Sequence, residues 1–206
     1  MVLPITSIDV QLLTGPMKSG KTSHLRKVIE QLAISQTSCQ FVYPERSTKR
    51  SMGGDDVCHA LLSSHNSRVV YDQSHIDIIN KYITEVRVEN CTTFTFGSPP
   101  DGSVVAIDEG HFFPLLPDAL KRWHNENRKI LVVIAALTSS YKQESFRCVT
   151  ECVQFCSKIE VFHGICDVCK CEKSQFSKLI DSSILGDEII VGSSLYTPVC
   201  AGCYNS

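Results

Sequence analysis

Apolar residues recur along this chain in two rhythms, short unbroken runs and stripes spaced at three and four. The run "IDVQLLT" (Ile8 to Thr14) predicts a buried strand, and Leu25, Val28, Ile29, Leu32 and Ala33 then fall at i, i+3, i+4, i+7 and i+8, the stripe of an amphipathic helix. "CQFVY" (Cys39 to Tyr43) predicts a second strand and "RVVYD" (Arg68 to Asp72) a third, while Ile78 or Ile79, Tyr82 or Ile83, and Val86 predict a short helix. "SPPDGS" (Ser98 to Ser103) is a turn signal leading straight into the apolar strand "VVAI" (Val104 to Ile107). Pro117 suits the first turn of a further helix, lined on one face by Leu116, Ala119, Leu120 and Trp123. "KILVVIAAL" (Lys129 to Leu137) is apolar almost throughout, as a parallel strand covered on both faces must be. Strands alternating with helices predict an α/β fold with helices on both sides of a mostly parallel sheet.

Near residue 160 the pattern changes. From "IEVFHGICDVCKCEK" (Ile159 to Lys173) onward the chain reads as short strands, turns and cysteines, with no helix pattern and too little apolar content for its own core. Such a unit needs a staple. The chain therefore divides into residues 1–160, an α/β domain, and residues 161–206, a small appended unit. Pro44 to Ser67 is polar and contains "MGGDD"; it offers little apolar surface to offset the entropy of ordering it and is expected to be mobile.

Composition narrows the classes of function. The 206 residues carry a net charge of −2 and a pI near 6.4, so there is no basic field for nucleic acid and no polybasic run for a membrane surface. Neither a long apolar span nor a signal pattern is found, which predicts a soluble, cytoplasmic protein. In a reducing compartment the 11 cysteines are expected as thiols or metal ligands, not disulfides.

"GPMKSGKT" fits G-x-x-x-x-G-K-[ST], with Gly15, Gly20, Lys21 and Thr22 at the fixed positions and Pro16, Met17, Lys18 and Ser19 between them. Glycines let the chain curl until backbone N–H groups face an anion, the lysine reaches the outer phosphates and the threonine hydroxyl reaches Mg²⁺. The predicted order of strand, loop and helix supports the motif, because the helix start adds its partial positive charge. In "VVAIDEGHFF", Asp108 and Glu109 end a buried strand, where ligands of open parallel sheets bind. Asp108 is the expected Mg²⁺ partner of the loop. Adjacent strand residues face opposite ways, which leaves Glu109 to serve as a general base on an attacking hydroxyl.

Cys166-x2-Cys169 and Cys200-x2-Cys203 are two knuckles that would complete a closed tetrahedral Cys₄ shell, hence a structural zinc. Cys171 is a possible competing ligand. A thioredoxin-like redox role fits badly, because neither pair sits between a strand and a helix. Cys148, Cys152 and Cys156 share a helical face with Val149 and read as small core residues.

"GPMKSGKT", "AIDEGHFFP", "AALTSSYKQESF", "CDVC" and "IIVGSSLYTPVCAGCY", in this order and roughly this spacing, resemble the type II thymidine kinases, the group of the cytosolic and poxviral enzymes. The resemblance spans residues 8 to 204. It implies a RecA-like P-loop core with a zinc-bearing lasso, transfer of the ATP γ-phosphoryl group to the 5′-hydroxyl of thymidine, a homotetramer or homodimer, and dTTP as feedback inhibitor. It implies Asp108 as the magnesium acid, Glu109 as the base, and Met17, Phe112, Leu137, Tyr141, Phe146 and Tyr196 as the lining of the thymine pocket. Backbone groups of the lasso, about Ile180 to Tyr196 and including Ile190, Val191 and Gly192, would read the base. Lys18, Thr138, Ser139 and Tyr141 depart from the family pattern, as does the segment Pro44 to Ser67. There Lys49 or Arg50 would supply a phosphate-facing cation. Two other readings stay open: a RecA-like ATPase acting on DNA, which needs a basic aromatic groove, and a non-catalytic zinc-binding interaction module with an ATP site.

Overall fold

The computed structural model describes residues 5–45, 73–180 and 195–206. The strand expected at Arg68 to Asp72, the polar stretch from residue 46 onward with Lys49 and Arg50, and Ile190, Val191 and Gly192 lie outside the described residues. In chain order the elements are β1 (Asp9–Gly15), α1 (Lys21–Ile34), β2 (Cys39–Pro44), α2 (Gln73–Tyr82), β3 (Ile83–Val88), β4 (Val104–Ile107), α3 (Leu116–Asn125), β5 (Leu131–Leu137), α4 (Arg147–Cys152), β6 (Lys158–Val161), β7 (Phe176–Leu179), β8 (Tyr196–Val199) and α5 (Ala201–Tyr204). Single 3₁₀ turns cover Gly110–Phe112 and Val153–Phe155.

Six strands form one parallel sheet in the order β3-β2-β4-β5-β1-β6. Alternate residues of each central strand feed two separate cores, as the two-residue period of a strand demands. Leu12, Ile107, Val132 and Ile134 pack with Leu116, Leu120 and Trp123 on one face, whereas Leu13, Ala106, Val133 and Ala135 pack with Leu25 and Ile29 on the other. Burial of each large aliphatic or aromatic side chain is worth about 1.5–3 kcal/mol. Both faces of the central strands are thus covered, which leaves the strand ends as the place for a ligand to meet backbone.

The predicted stripe of α1 is borne out, with Leu25, Ile29 and Ala33 fully buried. The helix expected over Ile78 to Val86 lies further toward the N-terminus, at Gln73–Tyr82. It ends at Tyr82, and Ile83 and Val86 belong to β3, paired in parallel with Cys39 and Val42 of β2. Strand pairing overrode a helical spacing that five apolar residues alone do not fix. Cys152 is buried against the α3 face, with Cys148 and Cys156 packed beside it, as expected. Beyond β6 the chain makes a two-stranded antiparallel ribbon, β7-β8, followed by α5, a single helical turn where none was predicted. Among the described residues, no helix is long and apolar enough to cross a membrane.

Candidate active site and metal centre

The site forms where β1, β4 and β5 end side by side. Gly15 closes β1 at φ +144, and a side chain there would meet the Phe162 carbonyl oxygen at 2.3 Å, so the loop can start only from glycine. Gly20 then caps α1. Lys21 is buried and folds back over the loop, donating from Nζ to Gly15 O (3.1 Å), Pro16 O (2.6 Å) and Ser19 Oγ (3.3 Å). Burial pushes its ammonium down to about 8, against the pull of Glu109 and Asp108, so it remains a cation at neutral pH. An anion in the loop would replace the carbonyl partners it now holds.

From the opposite strand comes the acid. Asp108 N–H donates to Val42 O (2.9 Å), fixing Asp108 at the end of β4, and Thr22 Oγ1 donates to Asp108 Oδ1 at 3.0 Å. The same oxygen accepts Glu109 N–H at 3.0 Å. Burial raises the Asp108 carboxyl, and the Arg26 guanidinium, ahead of the Thr22 hydroxyl, holds it down. Thr22 and Asp108 thus bring two hard oxygen donors to one point beside the loop, which fits Mg²⁺ and its preference for carboxylate and hydroxyl ligands. Sequence reasoning missed Arg26. Its position four residues after Thr22, on the same helix face, was the available signal.

Glu109 is not the next residue of a strand. It adopts the left-handed conformation (φ 53, ψ 43) and opens the 3₁₀ turn Gly110–Phe112, so its divergence from Asp108 comes from a turn, not from strand alternation. Gly110 makes the turn possible, because a Cβ there would strike Ile134 Cγ2 at 2.6 Å. Asp108 is buried and Glu109 half-buried beside it. Sparsely populated backbone conformations of this kind persist where surrounding packing imposes them.

Around this turn the other expected residues gather in part. The His111 ring lies 4.2 Å from Phe112 and 4.8 Å from Phe146, and His111 Nδ1 accepts the Leu137 N–H at 3.3 Å. Phe112, Leu137 and Phe146 are therefore brought together through a histidine that sequence reading had not singled out. Tyr141 and the buried Tyr196 form a second pair with centroids 6.0 Å apart, and among the described residues the buried Tyr141 hydroxyl has no hydrogen-bond partner. Met17 is half-buried and its N–H donates to Ser177 Oγ on β7 at 3.0 Å, which ties the loop to the C-terminal ribbon. Lys18 pairs with Asp167 of the same unit at 3.9 Å, an exposed contact worth little.

In the C-terminal unit, Cys166, Cys169, Cys171 and Cys200 place their sulfurs within 4.8 Å of one another. Cys169 and Cys200 sulfurs stand 3.7 Å apart. Thiolates about 2.3 Å from a tetrahedral zinc stand about 3.8 Å from each other, so the spacing fits that ion. The Cys169 backbone N–H leads in pulling the Cys166 thiol down to about 6, and the Cys203 N–H likewise lowers Cys200. One thiol of each knuckle is thereby held toward the thiolate form that a metal would need. Three of the four expected ligands cluster as read. Cys203 falls outside the mutual group and Cys171 stands inside it, yet Cys203 is pushed up to about 12, chiefly by Cys169 and then Cys200, so its sulfur also borders the cluster. Five thiols face four positions.

Comparison with known proteins adds the family. Residues 8–204 match the family described as thymidine kinase. Thymidine kinase 1 of Dictyostelium discoideum is 27% identical over 100% of this chain and 82% of its own length. The thymidine kinase of Vaccinia virus (strain Ankara) is 26% identical over 95% of this chain and 96% of its own. That of Acanthamoeba polyphaga mimivirus is 29% identical over 96% of this chain and 82% of its own. Among solved structures, an ATPase domain superposes with a TM-score of 0.46 at 11% identity, over 77% of this chain and 69% of that one.

Proposed function

The chain belongs to the thymidine kinase family, and on that premise we propose that it transfers the terminal phosphoryl group of ATP to the 5′-hydroxyl of thymidine, giving dTMP and ADP. One observation carries the reading: the loop threonine and the β4 acid meet at 3.0 Å, with Glu109 at the adjacent backbone position. Phosphoryl transfer asks a protein mainly for positioning and charge neutralisation, and this junction supplies both. Lys21 and the backbone N–H groups of Lys18 to Thr22 hold the ATP phosphates. Thr22 and Asp108 would hold Mg²⁺, which supplies the positive charge that offsets the phosphate oxygens. Glu109, half-buried and at the mouth of the site, takes the proton from the attacking hydroxyl. Phe112, Leu137, Phe146, Tyr141 and Tyr196 form the apolar side on which a thymine ring packs.

Residues 161–206 act as a zinc-stapled unit set against residues 1–160, joined to the phosphate loop through Ser177. The family premise extends the reading to a cytoplasmic homotetramer or homodimer that is inhibited by dTTP. ADP release from ATP and Mg²⁺ with a panel of nucleosides tests the reaction. Release that requires thymidine is the expected result. Release that requires DNA instead would make the protein a motor, and release with neither would leave a zinc-binding module that binds ATP.

A further inference from the structure

We infer that His111 is a positioning residue for Glu109, an imidazole anchored by Leu137 whose second nitrogen aims a proton at the carboxylate that receives the substrate's hydroxyl proton. This inference rests on reading Glu109 as the base. The ring is buried, with its side chain 1% exposed, and Nδ1 accepts the Leu137 N–H at 3.3 Å. A neutral imidazole has one donor and one acceptor, so an accepting Nδ1 puts the proton on Nε2. Nε2 lies 3.7 Å from Glu109 Oε2. That separation is longer than a hydrogen bond, as is common for catalytic contacts in unliganded sites, and a small turn of the carboxylate closes it.

The rest of the ring's surroundings leave it little freedom. Phe112 and Phe146 stand against it at 4.2 and 4.8 Å. The His111 carbonyl accepts Cys148 Sγ–H at 3.3 Å, and Gly110 is pressed against Ile134. A fixed donor of this kind removes rotamers of Glu109 that would face away from the substrate, the logic by which a base is oriented by a third group. Burial, with Lys21 adding, pushes the imidazole down to about 3, so the donor is uncharged at working pH. An uncharged donor orients the carboxylate without the loss of basicity that a cation at the same distance would impose.

A double-mutant cycle on the full chain, with ATP, Mg²⁺ and thymidine, tests the assignment. Expected in H111F is a fall in kcat of about 10- to 100-fold, part of the roughly 10² to 10⁴ that a general base contributes, with KM for ATP unchanged within about twofold. His111→Gln, whose amide also offers one acceptor and a donor, is expected to keep kcat within about fivefold of wild type. In the Glu109→Gln background, adding H111F is expected to cost less than about twofold, because no base remains to orient. If E109Q is slow but H111F costs as much there as in wild type, the inference falls while the base reading stands. If E109Q turns over at the wild-type rate, the base reading itself falls and takes the inference with it. A measurement that needs no variant covers the case in which H111F does not fold: the ¹⁵N shifts of His111 are expected to report the Nε2–H tautomer, and an Nδ1–H tautomer overturns the proposal.

Discussion

Acidification should destabilise this protein through His111, by an amount that follows from its surroundings. The native imidazole sits at about 3, pushed down by burial and then by Lys21, whereas an unfolded histidine titrates near about 6.5. Below about pH 6.5 the unfolded chain therefore takes up a proton that the native state refuses, and stability falls with pH until the native pKa is reached. The steepest slope is about 1.4 kcal/mol per pH unit. At pH 7 the effect is about 0.2 kcal/mol, and at pH 4.5 it reaches about 2 to 3 kcal/mol. For a chain of this size that corresponds to a lowering of Tm by about 5–10 °C. Urea unfolding of the wild type and His111→Gln at pH 7, 5.5 and 4.5 isolates the term, since carboxylate titration and protonation of the clustered cysteines act on both proteins. The expected outcome is that H111Q gains on the wild type by about 2 to 3 kcal/mol over this range. Stability curves that stay parallel within about 0.5 kcal/mol would refute the reasoning, because the native ring would then be taking up its proton as readily as the unfolded one.

Other outcomes follow from particular contacts. Lys21→Ala should lower kcat by at least about 10² while leaving Tm nearly unchanged, since among the described residues Nζ bonds to loop oxygens; wild-type-like turnover would remove the loop from the mechanism. Ser177→Ala should raise KM for ATP about three- to tenfold and spare KM for thymidine, because it frees the Met17 N–H from a bond worth about 1 kcal/mol, and an equal rise in both would assign Ser177 to folding alone. Metal analysis should find one zinc per chain, lost in Cys200→Ser along with protease resistance beyond residue 161. With Cys171 inside the cluster and Cys203 bordering it, Cys171→Ser and Cys203→Ser should each retain the ion, and complete loss from either would show that only four thiols serve.

Much of this was legible in the sequence because local pattern and local chemistry coincide there. The apolar runs at Val104–Ile107 and Leu131–Leu137 had to be strands buried on both faces, and the glycine-lysine-threonine spacing had to follow β1 and open α1. The cysteine knuckles were likewise readable, since a two-residue gap is what bends the chain around a metal. Tertiary structure decided what depends on a partner distant in sequence. Ile83 and Val86 became a strand because β2 offered them hydrogen bonds. Glu109 left the strand because Gly110 packs on Ile134, and Asp108 owes its ionisation balance to Arg26, 82 residues earlier in the numbering. Cys171 entered the cysteine cluster through the fold of its loop, and His111, two residues after Glu109, gained its surroundings only when Leu137 and Phe146 closed around it. Periodicity and motif spacing encode which element a residue joins; burial, and the charge or donor set opposite it, are fixed only when the sheet brings strand ends together.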